Sequence, residues 1–164
     1  MKVINIHRRN INQPKARIGA LLETLASEND MIVATDKWPR VELDKGLNIN
    51  SKGGHGPIKY TVQEYKRDQL IQFRFTKPLG FNGIHKFEIT EVGASKTEIK
   101  HTIDMTISGN DLLLWTFAIR WLHDAFIEDA FDKVENHFTG SAKVSEWSLW
   151  VKLLRRQLRS RGNN

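Results

Sequence analysis

The sequence predicts an α+β fold in which one antiparallel sheet covers a long helix. Apolar residues alternate with polar ones from Val41 to Ile107, and an apolar stretch at helical period follows from Asp111 to Phe138. The links inside the alternating region are short and rich in turn residues, which leaves no room for crossover helices. The sheet is therefore expected to be a meander of hairpins, and doubly wound nucleotide-binding folds are excluded.

The first predicted strand is Lys2–Ile11. Its β-branched residues Ile4 and Ile6 occupy alternating positions, which is typical of a strand. A helix is expected from Pro14 to about Ala26, because proline suits the first turn of a helix. Apolar residues form one stripe along this helix: Ile18, Leu21, Leu22 and Leu25.

A second short helix is expected directly afterwards. Residues 27–30, with the sequence Ser-Glu-Asn-Asp, provide side chains that can cap its first turn. Trp38-Pro39 then makes an extended break, because proline disfavours a helical conformation in the residue before it. The first strand and two short helices should thus precede the main part of the sheet.

Five further strands are predicted after Arg40, which gives a sheet of about six strands. Their apolar faces carry Val41, Leu43, Leu47 and Ile49; Ile58, Tyr60 and Val62; Ile71, Phe73 and Phe75; His85, Phe87 and Ile89; and Thr97, Ile99, His101, Ile103, Met105 and Ile107. Gly53-Gly54-His55-Gly56 is interpreted as a flexible connection. It is no nucleotide loop, because a strand follows it where a phosphate site needs a helix N-terminus.

Asp111–Phe138 is predicted to be a single long helix that Gly140 closes. Apolar residues cover nearly its whole circumference from Leu112 to Leu122, so this half must be covered on more than one side. The second half is amphipathic. Asp124 and Glu128 are interpreted as solvated, whereas Asp129 could face inward, although a surface ion pair is favoured for it.

The chain is predicted to consist of a domain and a tail that differ in charge. Residues 1–140 are predicted to form one ligand-binding domain, and residues 141–164 a basic amphipathic tail. The formal charge is +6, of which the tail holds +5 through six basic residues and one acidic residue. The high isoelectric point is therefore a property of the tail, and nucleic-acid binding by the domain is not indicated.

The tail has three candidate partners. Its tryptophans and leucines recur at helical spacing, with basic residues on the other sides, a pattern that suits an anionic membrane surface. The same pattern suits docking on the domain or on a second subunit, which we favour slightly because exposed tryptophan pairs are rarely left uncovered. The candidate contact residues are Trp147, Trp150, Leu154, Arg155 and Arg156.

The composition also limits compartment and chemistry. The chain has no cysteine, which excludes disulfides, thiolate metal sites and a cysteine nucleophile. The N-terminal residues lack the apolar centre of a signal peptide, so a cytoplasmic protein is expected, with peripheral membrane contact through the tail as the alternative. The six histidines form no H-x-x-x-H pair, and we expect no metal and no cofactor.

The order of elements resembles the helix-grip arrangement of START-like proteins. This superfamily (SRPBCC) includes polyketide cyclase/dehydrase and lipid-transport proteins. Local sequences are similar too: Trp38-Pro39 before the second strand, Gly53–Tyr60 into the third and Gly80–Phe87 into the fifth. The resemblance covers about Lys2–Gly140. It implies a curved sheet around the long helix, with an apolar cavity between them lined by the inward strand faces and the first half of the helix.

This implied cavity gives a set of candidate ligand-binding residues. They are Trp38, His55, Tyr60, Phe73, Phe75, Phe81, His85, Phe87, His101, Trp115, Ile119, Trp121, Leu122 and His123. The histidines and the tyrosine could orient a ligand, or each could be hydrogen-bonded within the fold, as buried polar groups usually are. The aromatic residues could equally be ordinary core.

Three functions remain open at this point. The first is binding of a small hydrophobic ligand such as a lipid, polyketide or aromatic metabolite. The second is a cyclase- or dehydrase-type enzyme that uses a histidine of the same pocket as acid or base. The third is a membrane-associated carrier or interaction module that acts through the tail. The sequence shows no G-x-S-x-G motif and no assembled set of catalytic residues, which favours binding.

Overall fold

The computed structural model describes residues 1–162, with side chains to Leu158. One antiparallel sheet has the strand order β1-β7-β6-β5-β4-β3-β2. Its strands are β1 (Lys2–Ile11), β2 (Glu42–Leu43), β3 (Lys52–His55), β4 (Ile58–Lys66), β5 (Leu70–Lys77), β6 (Phe81–Gly93) and β7 (Lys96–Ile107). The helices are α1 (Lys15–Leu22), α2 (Asp111–Leu114), a π-helix (Trp115–Ile119), α3 (Arg120–Thr139) and α4 (Leu149–Gly162).

The predicted α+β class is confirmed: a curved sheet is followed by a long helix. We use "the long helix" for the continuous run of α2, the π-helix and α3, residues 111–139. Gly140 follows it with a φ of 63° and closes it as predicted. Most inward residues of β4 to β7 are buried together with the inner side of the long helix, which places the hydrophobic core between sheet and helix.

The sheet has seven strands because the glycine segment is a strand rather than a flexible connection. A Cβ atom added to Gly53 would lie 1.8 Å from the carbonyl oxygen of Glu42, and one added to Gly54 would lie 2.0 Å from that of Ile58. Both glycines therefore allow β3 to approach its neighbours more closely than any side chain permits. The strand predicted at Val41–Ile49 is reduced to the two residues of β2, since turns occupy positions 44–50.

The second short helix is absent: residues 23–41, all of them described, form turns, bends and irregular segments. The reason is the set of hydrogen bonds that the side chain of Asp30 accepts. Its buried carboxylate accepts the backbone N–H groups of Ala26, Ile32 and Val33 at 3.0, 2.8 and 2.9 Å. The predicted capping residue thus organises a compact loop, because its carboxylate binds N–H groups on both sides of it instead of starting a helix.

The faces of β1 are unexpected. Ile4 and Ile6, which signal the strand, lie on the outer face and are 62% and 46% exposed. The inner face carries His7 and Arg9, which pair with acidic residues of α3. The acidic side of α3, which the sequence suggested was solvated, therefore lies against β1: Asp124, Glu128, Asp132 and Glu135.

The C-terminal helix α4 lies on the domain. The indole N–H of Trp147 donates to Asp129 of α3 at 2.8 Å, and that of Trp150 donates to the carbonyl oxygen of Phe117 at 2.9 Å. Val151 is buried at the same contact. No helix among residues 1–162 is both long enough and apolar enough to cross a bilayer.

Candidate ligand-binding cavity

A cavity of about 230 Å³ lies between the inner face of the sheet and the long helix. β4 to β7 supply its floor, the long helix its roof, and the loop around Trp38 and two residues of α4, Arg155 and Leu158, part of its side. Every candidate cavity residue from the sequence lines this space, apart from one. Trp121 lies on the outer side of the long helix, 40% exposed, where its indole N–H donates to the carbonyl oxygen of Thr116 at 3.1 Å.

Aromatic rings surround the centre of the cavity. The register of β5 and β6 places Phe73 opposite His85, and their rings stack with centroids 4.8 Å apart. Phe75 stacks on His85 at 4.8 Å, while Tyr60 meets the same ring edge-on at 4.6 Å. His85 is therefore held in one orientation by three aromatic neighbours, so its two nitrogens have fixed directions.

Four histidines and one tyrosine form a row across the cavity. Ring centroids of His123 and His101 are 5.0 Å apart, and those of His101 and His85 are 5.6 Å apart. At the other end, His55 Nδ1 lies 3.2 Å from the hydroxyl of Tyr60, and the ring of Tyr60 contacts the ring of His85. The period-two pattern of the strands predicted most of this row, because His85, His101 and Tyr60 are all inward positions.

These cavity histidines are neutral at neutral pH. Burial lowers the pKa of His55 to about 4, and nearby His123 and Lys59 act in the same direction. Burial and neighbouring histidines also hold the pKa of His85 and of His101 well below the ordinary value. A neutral imidazole offers one N–H donor and one acceptor nitrogen. The row can therefore exchange hydrogen bonds with a ligand without requiring a charged one.

Four nitrogens of the row are buried and have no hydrogen-bond partner among residues 1–162: His85 Nε2, His101 Nδ1 and both ring nitrogens of His123. Buried polar groups in folded proteins are almost always hydrogen-bonded, and leaving one unpaired costs about 1–3 kcal/mol. All three residues line the cavity, so a polar group of a bound molecule would be within their reach. These nitrogens are unpaired polar atoms in an otherwise largely apolar space.

Beyond the His123 end of the row, where β1 meets α3, lies a group of charged residues outside the cavity lining. His7 Nδ1 lies 2.7 Å from Glu128 Oε1, and His7 Nε2 lies 3.1 Å from Asp124 Oδ1. Burial lowers the pKa of His7, but the hydrogen bonds with the two carboxylates outweigh burial and raise it to about 9. Burial raises the pKa of Asp124, but its contacts with His123, His7 and Asn5 outweigh burial and lower it. His7 is thus an imidazolium between two carboxylates.

Asp129 faces the interior, the orientation that the sequence favoured less than a surface ion pair. Its side chain is fully buried and accepts hydrogen bonds from Lys37 Nζ at 2.6 Å and from the indole N–H groups of Trp38 and Trp147, each at 2.8 Å. Arg155 of α4 lies 4.3 Å above the ring of Trp38. One carboxylate therefore joins the cavity loop, the long helix and the segment leading into α4.

The sequence analysis also missed part of the cavity wall. Ile58 and Ile103 share the inward faces of Tyr60 and His101, so the alternation of the strands could have identified them. Phe126 follows Leu122 at helical spacing and could have been found in the same way. Loop residues such as Pro39, Pro57 and Pro78 carry no such periodic signal.

The sheet, the long helix and the cavity between them form a helix-grip fold, and several solved structures share it. Norcoclaurine synthase from Thalictrum flavum matches with a TM-score of 0.64 at 12% identity, over 87% of this chain and 90% of that one. A conserved protein of unknown function from Enterococcus faecalis matches with a TM-score of 0.61 at 12% identity, over 99% of this chain and 86% of that one. A protein from Thermobifida fusca matches with a TM-score of 0.63 at 9% identity, over 88% of this chain and 99% of that one.

At these identities, the likeness establishes the fold alone. Neither a family model nor a curated protein matches the chain. The particular function must therefore be argued from the cavity itself, because a fold hosts many functions.

Proposed function

We propose that this protein binds a small, mainly apolar molecule with one or two hydrogen-bonding groups in the cavity between sheet and long helix. The observation that carries the proposal is that two strand residues, His85 and His101, each hold an unpartnered buried nitrogen in a cavity whose walls are otherwise largely apolar. Apolar walls with a few convergent polar groups are the usual composition of a small-molecule site.

The size of the cavity limits the ligand. An apolar cavity of about 150 Å³ holds benzene, and pockets for drug-sized molecules begin at about 300 Å³. At about 230 Å³, this cavity fits a substituted one-ring or a two-ring molecule better than a lipid with long acyl chains. The aromatic walls around His85 favour a flat ring, because stacked and edge-to-face contacts are both available there.

The polar groups limit the ligand further. Neutral imidazoles interact with hydroxyl, carbonyl or amide groups and do not supply the cation that a carboxylate ligand would need. A phenol or an aromatic carbonyl compound combines the required ring with the required polar group. Norcoclaurine synthase, which shares the fold, has been solved in complex with dopamine and hydroxybenzaldehyde, two molecules of this kind. That example supports the proposal only by analogy of fold.

The proposal predicts that 1-naphthol binds more tightly than naphthalene, and that His85→Leu removes most of the difference. A hydrogen bond to a ligand hydroxyl contributes about 1 kcal/mol, which corresponds to a loss of about fivefold to tenfold in affinity for 1-naphthol. Affinity for naphthalene should change little. Titration calorimetry with both probes measures the effect, and His137→Leu, at an exposed position on α3, is the control.

Three results would decide between binding and the alternatives. Equal affinities of the wild type for the two probes would contradict the assigned role of His85, and failure of both probes to bind would contradict the cavity proposal. The enzyme alternative would be favoured instead if His85→Leu or His101→Leu abolished turnover of a carbonyl substrate while the product still bound. Native mass spectrometry of protein purified from cells gives an independent identification of the ligand class.

A second candidate function, contact with an anionic membrane, is supported by exposed apolar residues around α4. Leu149 and Leu153 of α4 are 84% and 45% exposed, and Leu113 and Phe117 of the long helix are 61% and 60% exposed. The hydrogen bond from Trp150 to the carbonyl oxygen of Phe117 joins the two helices. Exposed basic residues lie beside them on α4, Lys152 and Arg156. Apolar and basic residues on one surface suit an anionic bilayer surface.

This candidate predicts that the full chain sediments with phosphatidylserine vesicles at low salt and that Leu149→Asp together with Leu153→Asp reduces sedimentation severalfold. The matched control is Ile4→Asp with Ile6→Asp, which adds the same charge on the outer face of the sheet. Membrane contact through α4 would be excluded if both double variants sedimented equally, or if the wild type ignored the vesicles. Ligand binding in the cavity does not depend on this outcome.

A further inference from the structure

Three potential metal ligands lie close together where β1 meets the long helix. They are His7 of β1 and the adjacent His123 and Asp124 of α3, and one donor atom of each lies within 4.8 Å of the other two. His7 Nε2 is 3.1 Å from Asp124 Oδ1, and His123 Nδ1 is 3.6 Å from the same oxygen. Two ligands at about 2.1 Å from a tetrahedral metal ion are about 3.4 Å apart. Both measured separations are close to that value.

The surroundings of these residues resemble the second layer of a metal site. His7 uses Nδ1 for Glu128 Oε1 at 2.7 Å, and Arg9 fixes that glutamate by donating to Glu128 Oε2 at 2.9 Å. A carboxylate on the remote nitrogen orients the ring and makes the other nitrogen a better ligand. Asn5 Nδ2 donates to Asp124 Oδ1 at 2.9 Å and fixes the second donor in the same way.

His123 is the residue that the ion pairs leave unexplained. The imidazolium of His7 between two carboxylates accounts for His7, Asp124 and Glu128 without any further partner. Both ring nitrogens of His123, however, are buried and lack a hydrogen-bond partner among residues 1–162. Two unsatisfied nitrogens on one buried ring are costly, and a bond from Nδ1 to an ion would satisfy one of them.

We propose that His7, His123 and Asp124 bind one first-row divalent transition-metal ion, Zn²⁺ or Fe²⁺ in particular, and that the ion displaces the proton of His7 Nε2 to solvent. Two imidazoles and one carboxylate without sulfur suit these ions, and three protein ligands leave at least one further position on the ion. Since His123 also lines the cavity, the ion would lie at the cavity wall. The proposal does not rest on the ligand-binding function: either could fail alone.

Sequence spacing gave no sign of this site and predicted that no metal is bound. The ligands come from two elements that are 116 positions apart in the chain, so they form no local motif. His123 and Asp124 are successive residues on a helix, and such residues do not share a face. Their side chains nevertheless converge: Asp124 Oδ1 is 3.1 Å from His7 Nε2 and 3.6 Å from His123 Nδ1, and the rings of His7 and His123 have centroids 5.8 Å apart.

The test is metal titration of the full chain after dialysis against a chelator. We expect the wild type to bind one equivalent of Zn²⁺ by calorimetry, and Co²⁺ as a probe to give the visible absorption of a low-symmetry site. His123→Ala and Asp124→Ala should each weaken Zn²⁺ binding at least 100-fold. Glu128→Gln, which changes only the orienting carboxylate, should weaken it about tenfold to 100-fold. His137→Ala, at an exposed position, should have no effect.

Two outcomes overturn the proposal. One is that the wild type binds neither Zn²⁺ nor Co²⁺. This result needs no variant, and the ion pairs of His7 would then fully explain the cluster. The other is binding that persists unchanged in both His123→Ala and Asp124→Ala, which would place the ion elsewhere. Circular dichroism confirms that each variant is folded before it is titrated, and a folded Glu128→Gln variant keeps the test valid if the alanine variants unfold.

Discussion

Acidification from neutral pH to about pH 4 is expected to unfold this protein, mainly because buried neutral histidines must take up protons. The pKa of His55 is lowered from 6.5 to about 4 by burial, and that of His85 is held well below 6.5. Below about pH 6.5 the unfolded chain therefore binds more protons than the folded chain, so stability falls with falling pH. One pKa unit corresponds to about 1.4 kcal/mol, and His55 alone contributes a loss of at most about 3 kcal/mol, since it is partly exposed.

The expected loss is large against a typical stability of about 5–15 kcal/mol, because His85 adds to it in the same direction. His7 has the opposite dependence: its pKa of about 9 means that its contribution is present below about pH 6.5 and is lost as the pH rises through 9. The paired carboxylates, whose pKa values are lowered, lose their contribution only at still lower pH. The histidines therefore determine the acid limb between about pH 6.5 and 4.

Urea denaturation at a series of pH values measures this effect. His55→Phe is the informative variant, because the ring of His55 stacks on Phe126 at 5.0 Å and a phenyl ring can keep that contact without titrating. The free energy of unfolding of this variant should depend less steeply on pH than that of the wild type. His137→Ala, at an exposed position, should retain the wild-type slope. A His55→Phe variant with an unchanged slope would contradict the assignment.

Asp129→Ala is expected to lower the free energy of unfolding by about 3–5 kcal/mol, the largest effect of any single substitution considered for this protein. The change leaves the ammonium of Lys37 and the indole N–H groups of Trp38 and Trp147 without their acceptor. Removing one partner of a buried charged network costs far more than removing a surface pair. The contact between α4 and the domain should loosen as well, because Trp147 precedes that helix.

Chemical denaturation and limited proteolysis between α3 and α4 measure both consequences. The control is Asp104→Ala, which removes a carboxylate that is 45% exposed and paired with Lys2; this should cost less than about 1 kcal/mol. A double-mutant cycle with Trp147→Phe separates the tail contact from the rest of the network. If Asp129→Ala and Asp104→Ala were equally stable, the carboxylate of Asp129 would have no structural role of the kind inferred here.

The fold was predictable because two periodicities dominate the sequence. Alternation on β4 to β7 identifies the inner face, and the long apolar run after Ile107 identifies the helix that covers it. β1 was predicted as a strand, but its orientation was not: His7 and Arg9 on the inner face meet the acidic side of α3. A polar strand face is usually exposed to solvent. Here it is covered because its partners of opposite charge lie on α3, far away in the sequence.

The candidate site was predictable in part for the same reason. Strand positions such as His85 and His101 follow from alternation, whereas Trp121 was assigned to the cavity although it lies on the outer side of the helix. The apolar run around Trp121 covers all sides of the helix, so composition alone could not give its direction. The role of Asp129 depends on two indoles and a lysine from other segments, and no local pattern contains that information.

The strand order has a consequence for how the protein is made. β1 pairs only with β7 among the strands, so that Lys2 lies opposite Thr106 at the far end of the meander. During synthesis the first strand leaves the ribosome long before its partner exists, with Ile4 and Ile6 facing solvent and its backbone unpaired. The hairpins β4 to β7 can form as they emerge, whereas closing the sheet requires the longest loop between any two paired strands. Docking of β1 therefore completes the sheet, and it also places His7 where the long helix packs.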